Sequence, residues 1–134
     1  MTDPVVVLDS GVVDRAVTNK EFRWVLRDLV DGGWVPVIPT VVLAEATTGR
    51  PSDAPVNQAV RAIGPVDTTP PTARLAGRLR FAAQRSGAHR IPGRIDAIVA
   101  AHAAEVGAGV VFTTDLPDLK RLLADTHRVL VKKP

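Results

Sequence analysis

Four acidic residues stand beside apolar segments of the sequence, far apart along the chain. They are Asp9, Glu45, Asp96 and Asp115. If folding brings their carboxylates together, the negative charges repel one another and are costly to remove from water. A hard divalent cation with oxygen ligands relieves both problems, and Mg²⁺ or Mn²⁺ suits ligation by carboxylates alone. We therefore predict that these four acids bind a divalent metal ion.

Such a site has a defined chemistry. A bound divalent cation can lower the pKa of a water molecule and can stabilise charge on a phosphoryl oxygen. A carboxylate that does not touch the metal can orient or deprotonate that water molecule. These are the requirements for in-line hydrolysis of a phosphodiester, so the same four acids are the predicted catalytic residues.

Short apolar runs bounded by turn residues predict five strands, the third of them weak. They are residues 5–8, 35–38, 65–67, 109–112 and 128–131. Helical periodicity and capping residues predict the helices between them. These are a short turn at 12–17, a helix from the Asn19 cap to Gly32, a helix capped by Thr40 and stopped at Gly49, and residues 51–63, 72–85, 95–106 and 116–124. A loop is predicted at 86–93, and Thr68-Thr69-Pro70-Pro71 is predicted to be a turn.

Two of these helices have a predicted apolar face. We expect Phe22, Val25, Leu26, Leu29 and Val30 to share one face of the first long helix, at helical spacing. In helix 72–85 we expect Leu75, Leu79 and Ala82 to point inward.

Strands that alternate with helices predict a mainly parallel sheet covered by helices on both faces. Ligands bind at the carboxyl edge of such a sheet. Asp9 and Asp115 follow strands, so both are expected at that edge. Helices run back antiparallel to the strands, which places Asp96, in the first turn of its helix, at the same edge. Glu45 lies in the second turn of its helix, and its longer side chain can reach back.

Each acid also has a purely structural interpretation. Asp115 would cap the helix that starts at residue 116, Asp96 would interact with its helix dipole, and Asp9 would bind turn amides. Glu45 resists this explanation because its neighbours are apolar and a buried glutamate needs a reason. Asp118 could join the cluster, but its position three residues into a helix favours stabilisation by the dipole.

Basic residues are unevenly distributed along the chain. The net charge is only +3, yet arginine outnumbers lysine 13 to 4 and no acid occurs between Asp67 and Asp96. The guanidinium group binds phosphate oxygens as a planar fork. This segment is either a solvated helix face with its loop or the contact surface for a polyanion.

Composition sets the class of protein. With 134 residues, 46% of them hydrophobic, the chain suits a single domain spanning residues 1–134. The longest apolar run is five residues, whereas a membrane span needs about 20. The sequence has no cysteine, which excludes disulfides, zinc thiolate sites and thiol catalysis. Since the N-terminus shows no secretory signal, we expect a cytoplasmic protein.

Four segments resemble the motifs of a known family. They are Val6-Val7-Leu8-Asp9-Ser10, Val42-Leu43-Ala44-Glu45, Asp96-Ala97-Ile98-Val99-Ala100-Ala101 and Val111-Phe112-Thr113-Thr114-Asp115. In order and spacing they resemble the four acidic motifs of the PIN domain, and the resemblance covers essentially the whole chain. The length is similar to that of the VapC toxins of bacterial type II toxin–antitoxin pairs.

The resemblance implies a PIN-like three-layer α/β/α fold with a parallel sheet of about five strands in the order 3-2-1-4-5. It implies a Mg²⁺- or Mn²⁺-dependent endoribonuclease, a homodimer, and a VapB-like antitoxin that blocks the acidic pocket. Asp9 and Asp96 would be the main metal ligands, and Asp115 would complete the metal shell or form a second site. Glu45 would ligate through water or position it, and Thr113 would support the cluster through its hydroxyl.

The resemblance also gives the basic segment a partner, the RNA backbone. The arginines expected to hold it are Arg74, Arg78, Arg85, Arg90 and Arg94. Two residues depart from the family's pattern. Gly11 stands where a second Ser or Thr is common, and Thr114 stands where Asn is common.

Two other functions compete with the nuclease. The first is a catalytically silent PIN-fold module that binds RNA or assembles with partners; such a module would bind RNA equally well in EDTA. The second is a phosphoryl-transfer domain, such as a response-regulator receiver or a HAD-type phosphatase. The segment Asp9-Ser10-Gly11 lacks the second nearby acid that those chemistries use. They also need a lysine after a later strand, and the sequence has none at a suitable position.

Overall fold

The computed structural model describes residues 3–86 and 90–134, and in this part of the chain it has one parallel five-stranded sheet. Its strands are β1 (Val5–Leu8), β2 (Val35–Pro39), β3 (Pro65–Val66), β4 (Gly109–Phe112) and β5 (Val129–Lys132). Their order is β3-β2-β1-β4-β5, and every neighbouring pair is parallel. The predicted α/β class and the strand order 3-2-1-4-5 are therefore confirmed.

Helices lie on both sides of the sheet. They are α1 (Arg15–Thr18), α2 (Lys20–Asp31), α3 (Leu43–Ala46), α4 (Ala54–Ile63), α5 (Pro70–Arg85), α6 (Arg94–Val106) and α7 (Leu116–Leu122). Asn19 caps α2 as predicted, because its side-chain oxygen accepts a hydrogen bond from the Phe22 N–H. Among the described residues, no helix combines the length and the apolar character that crossing a membrane requires.

The middle strand β1 and its neighbour β4 are buried along their whole length, which explains their continuous apolar sequences. Helix α6 packs against both of them, and its buried face consists largely of alanine. Small side chains let the helix approach the sheet closely, so the first turn of α6 is fixed relative to the ends of β1 and β4. On α2, Phe22 packs edge-on against Phe112, with ring centroids 4.9 Å apart.

The predicted helix after Thr40 is wrong in its details. Residues 40–42 form a 3₁₀ turn, and Thr40 does not cap it; its hydroxyl donates to the Val66 carbonyl instead. Helix α3 ends at Ala46, before Gly49. The amide groups of Thr48 and Gly49 donate to the buried Asp53 carboxylate, and this local turn competes with further helix.

Three other expectations need correction. Helix α5 begins at Pro70, within the predicted turn, because Thr69 caps it and proline suits the first helical turn. Ala82 is exposed, and Ala83 is buried in its place. On α2, Val25 and Val30 are exposed although Phe22 and Leu26 are buried. Of the predicted loop at 86–93, residues 87–89 lie outside the described residues.

The close contact between β1 and β4 depends on Gly109. A Cβ at this position would lie 2.6 Å from the backbone oxygen of Val5, which cannot move without breaking the strand pair. We expect Gly109→Ala to lower the free energy of unfolding by roughly 2–3 kcal/mol. The matched control is Gly77→Ala in α5, where a Cβ would meet nothing within 4 Å; there alanine should add roughly 0.5–1 kcal/mol. Urea denaturation measures both, and equal effects would contradict this account.

Candidate metal centre

Asp9 lies at the carboxyl end of β1, as predicted, and only 3% of it is exposed. Both carboxylate oxygens are held. Oδ1 accepts a hydrogen bond from the Ser10 N–H at 2.8 Å, and Oδ2 accepts one from the Thr113 hydroxyl at 2.7 Å. These donors compensate for part of the lost hydration of the carboxylate. The bond to Ser10 is the local turn bond of the structural interpretation, whereas the bond to Thr113 crosses from β1 to the end of β4.

Thr113 joins two of the acidic segments. Its hydroxyl donates to Asp9 and accepts a hydrogen bond from the Asp115 N–H at 2.8 Å. Thr113 itself is fully buried directly after β4. One hydroxyl therefore fixes the segment after β4 relative to the end of β1. The resemblance gave Thr113 a supporting role through its hydroxyl, and these two hydrogen bonds are the contacts that such a role would use.

Three carboxylates form the tightest group at this edge. Oxygen atoms of Asp96, Asp115 and Asp118 all lie within 4.8 Å of one another. Asp96 comes from the first turn of α6, as predicted, and Asp115 is the residue before α7. Although Asp115 occupies the N-cap position, its side chain makes no capping hydrogen bond. The capping interpretation of Asp115 is therefore wrong.

The pKa of Asp96 reflects the negative charges of the acids around it. Its pKa is raised to about 7, first because the carboxyl group is partly buried and then because it faces the charges of Asp9, Asp115, Glu45 and Asp118. The other three predicted acids thus all act electrostatically on Asp96 at this edge. The helix dipole at the start of α6 acts in the opposite direction and would lower this pKa, so burial and the neighbouring carboxylates outweigh it.

Asp118 is the acid that the sequence-based reasoning underrated. It is 3% exposed, and its Oδ2 has no hydrogen-bond partner among the described residues. Burial and the Asp115 carboxylate raise its pKa, while the guanidinium groups of Arg90 and Arg121 oppose that shift. The available signal was its spacing from Asp115, since residues three apart at a helix start share one face.

Glu45 differs most from its predicted environment. It lies in the first turn of α3 and is exposed, so the argument from a buried glutamate is wrong. Its Oε1 accepts a hydrogen bond from the Ser10 hydroxyl at 3.1 Å. Ser10 follows Asp9, so this bond still ties the start of α3 to the end of β1.

The two departures from the family's pattern meet in space. A Cβ on Gly11 would lie 2.6 Å from the Thr114 hydroxyl. The threonine therefore occupies the volume that a larger side chain at position 11 would need, and the two positions are complementary.

The five arginines expected to bind RNA are all exposed. Arg74, Arg78 and Arg85 lie on α5, and Arg94 is the first residue of α6. Of these five, Arg90 is the one that forms an ion pair with the acidic residues in the described part of the chain, with Nη2 3.3 Å from Oδ2 of Asp118. A sixth arginine of the segment, Arg80, has a structural role instead, because its Nε donates to the Pro92 carbonyl at 2.8 Å.

The group fits a hard divalent cation. Mg²⁺ binds oxygen ligands at about 2.0–2.1 Å, so ligands on opposite sides of one ion lie about 4 Å apart, and the oxygen atoms of this group all lie within 4.8 Å of one another. The buried Oδ2 of Asp118, which accepts no hydrogen bond from the residues that the structure describes, is an acceptor that such an ion would satisfy. All the available ligands are oxygen atoms, which favours Mg²⁺ or Mn²⁺ over softer metals.

Comparison with solved structures supports the fold. The chain aligns with one from VapBC2 of Rickettsia felis, bound to a DNA fragment from their promoter, at a TM-score of 0.74 and 16% identity over 97% of this chain and 98% of that one. A chain of DNA-bound VapBC from Salmonella typhimurium aligns at a TM-score of 0.69 and 19% identity, with the same coverage. A chain of FitAcB from Neisseria gonorrhoeae aligns at 0.64 and 18%, over 96% and 97%.

The sequence itself matches no protein-family model and no curated protein. The structural likeness therefore rests on the arrangement of the backbone. It confirms the PIN-like α/β fold that the four acidic motifs implied, which this chain shares with chains of VapBC and FitAcB.

The repulsion at Asp96 predicts that removing its negative charge stabilises the folded protein. Its raised pKa means that the folded state loses stability as the pH rises from about 4 to about 7 and the carboxyl group ionises among like charges. In EDTA at pH 8, the free energy of unfolding of Asp96→Asn should therefore be roughly 1 kcal/mol larger than that of the wild type, a figure reduced to allow for solvent screening. The difference should shrink towards pH 4. Thermal unfolding across this range measures it, with the exposed Asp125→Asn as control. A destabilised, pH-independent Asp96→Asn would contradict the repulsion.

The contact between Gly11 and Thr114 predicts energetic coupling. Gly11→Ser should lower the free energy of unfolding by about 1 kcal/mol because its Cβ overlaps the threonine hydroxyl. Adding Thr114→Ala should remove at least half of this loss, since the volume becomes free. A double-mutant cycle measured by denaturation gives the coupling, and strictly additive effects would show that the two side chains do not compete.

Proposed function

We propose that this protein is a divalent-metal-dependent endoribonuclease toxin that a VapB-like antitoxin neutralises. The observation that carries the proposal is the convergence of acids from four separated segments on one sheet edge, recorded in the raised pKa of Asp96. A group of carboxylates that opposes folding is expected where charge serves chemistry. The PIN-like fold, shared with chains of VapBC and FitAcB complexes, supports the same class.

In this proposal Asp96, Asp115 and Asp118 hold the cation, and Asp9 borders it as a carboxylate fixed by hydrogen bonds. The metal-ligand role that the resemblance gave mainly to Asp9 and Asp96 thus extends to Asp118, because its oxygen atoms lie in the tight group. When bound, Mg²⁺ or Mn²⁺ supplies an acidified water molecule and positive charge for the phosphodiester oxygens.

The remaining residues act through the protein's own groups. Glu45 is exposed beside the cluster and held by Ser10, so its carboxylate can orient a water molecule and accept a proton from it. Thr113 holds the Asp9 carboxylate and the backbone of Asp115 in place relative to each other. The exposed arginines of α5 and the start of α6 offer positive charge to the RNA backbone, an attraction that is largely independent of sequence.

An exposed groove lined by both apolar and charged residues supports a protein partner. It lies between α1, α2, α4 and β2 and has a volume of about 880 Å³. Trp24, Val30 and Val35 line it, and each of them is strongly exposed; Trp24 is 64% accessible. Large apolar side chains exposed together in this way are typical of an interaction site. The proposed occupant is the antitoxin, and a homodimer and a cytoplasmic location complete the proposal.

The function is tested with a set of matched carboxylate variants. The wild type should cleave RNA with Mg²⁺ or Mn²⁺ and stop in EDTA. Asp96→Asn and Asp118→Asn should each lower the rate of cleavage by about 100-fold or more, because each removes a charge from the metal site. Asp125→Asn, which changes an exposed acid in the turn after α7, should stay within about twofold of the wild type, and circular dichroism should show all variants folded.

RNA that is bound equally well in EDTA and never shortened would contradict the nuclease and favour a silent binding module. Undiminished cleavage by Asp118→Asn would remove that residue from the metal site while leaving the remaining acids in place.

A further inference from the structure

Arg90 contacts the same carboxylates that are proposed to hold the metal. Its Nη2 lies 3.3 Å from Oδ2 of Asp118 and 4.0 Å from Oδ2 of Asp115. The first contact is an ion pair without hydrogen-bond geometry, since this Asp118 oxygen has no hydrogen-bond partner among the described residues. The buried oxygen therefore has a nearby positive charge but an unsatisfied site for a ligand.

The two arginines beside Asp118 differ in how firmly they are held. Arg121 lies three residues after Asp118 on the same helix, with Nη1 3.8 Å from Oδ1, and its Nη2 donates to the Ala83 carbonyl. Its side chain is 26% exposed, whereas that of Arg90 is 74% exposed. Arg121 is thus a fixed counter-charge, while Arg90 can leave at little cost because water solvates it readily.

The segment that carries Arg90 is nevertheless fixed close to the cluster. Pro92 is buried, and its carbonyl accepts the hydrogen bond from Arg80 on α5. Two residues later α6 begins, and Asp96 lies in its first turn. A released Arg90 side chain would therefore remain beside the site.

A divalent cation and the Arg90 guanidinium would compete for the same oxygen atoms. Both are cations that require Asp118 Oδ2, and a metal ion at this oxygen would repel the guanidinium. Guanidinium groups bind phosphate oxygens well, so the displaced side chain has a natural ligand in a nucleic-acid backbone placed at the metal.

We propose that Arg90 is an exchangeable counter-ion of the cluster: it pairs with Asp118 until a divalent cation takes that carboxylate, and then binds a phosphate of the RNA. This inference rests on the proposed function: its first half needs the metal site, and its second half also needs RNA as the ligand. It makes Arg90 a positioning residue that couples occupancy of the metal site to RNA binding, unlike the arginines that lie on α5 away from the acids.

The first experiment measures Mn²⁺ binding by isothermal titration calorimetry without RNA. Arg90→Ala should bind Mn²⁺ about two- to fivefold more tightly than the wild type, because a competing ion pair of an exposed arginine is removed. Arg78→Ala is the matched control, since Arg78 is exposed on α5 and forms no ion pair within the described residues; its affinity should equal that of the wild type.

The second experiment measures binding of a short phosphorothioate RNA, which resists cleavage, by fluorescence anisotropy. With Mn²⁺ present, Arg90→Ala should weaken binding about three- to tenfold through loss of one phosphate contact. In EDTA the loss should be under about twofold, because Arg90 is then paired with Asp118. Arg78→Ala should weaken binding by the same factor in both conditions.

Equal Mn²⁺ affinity of Arg90→Ala and the wild type, or equal RNA losses with and without Mn²⁺, would overturn the role of Arg90 while leaving the nuclease proposal intact. If neither protein bound Mn²⁺, both proposals would fall. Tighter Mn²⁺ binding by Arg90→Ala in a protein that never cleaves RNA would support the competition and contradict only the proposed function.

Discussion

Repulsion between carboxylates held close together is the constraint on which the rest of this structure depends. Oxygen atoms of Asp96, Asp115 and Asp118 lie within 4.8 Å of one another, and the charges of Asp9 and Glu45 also act on Asp96. Such an arrangement opposes folding unless counter-charge and hydrogen-bond donors offset it. The described residues supply both, through the hydroxyl of Thr113 at Asp9 and through two guanidinium groups at Asp118. These residues supply no hydrogen bond to the buried Oδ2 of Asp118, and a metal ion could bind that oxygen.

The fold gathers these charges through its topology. Asp9 and Asp115 come from the ends of adjacent parallel strands, β1 and β4, and Asp96 comes from the start of the helix that packs over both. The pairing of Val5 with Gly109 and the alanine face of α6 set the distances between these elements. The site therefore depends on close packing in the core, at residues that never touch it.

Strand ends were the part of the site that could be read from the sequence. β1 and β4 are short apolar runs rich in valine, so their limits and the positions of Asp9 and Asp115 followed from the sequence pattern. Asp118 was underrated because its role depends on how deeply the start of α7 is buried, which is a property of tertiary packing. The exposure of Glu45 and the failure of Thr40 as a cap have a similar origin. Bonds from Thr40 to Val66 and within the turn closed by Asp53 override the local helical preference.

The central claim is that the acidic edge binds a divalent cation, and anomalous diffraction from crystals grown with Mn²⁺ tests it most directly. The account predicts an anomalous peak bounded by carboxylate oxygens of Asp96, Asp115 and Asp118, with the Arg90 guanidinium displaced from Asp118. Crystals with millimolar Mn²⁺ in which this edge shows no peak, and in which the three carboxylates have moved apart into solvent, would contradict it.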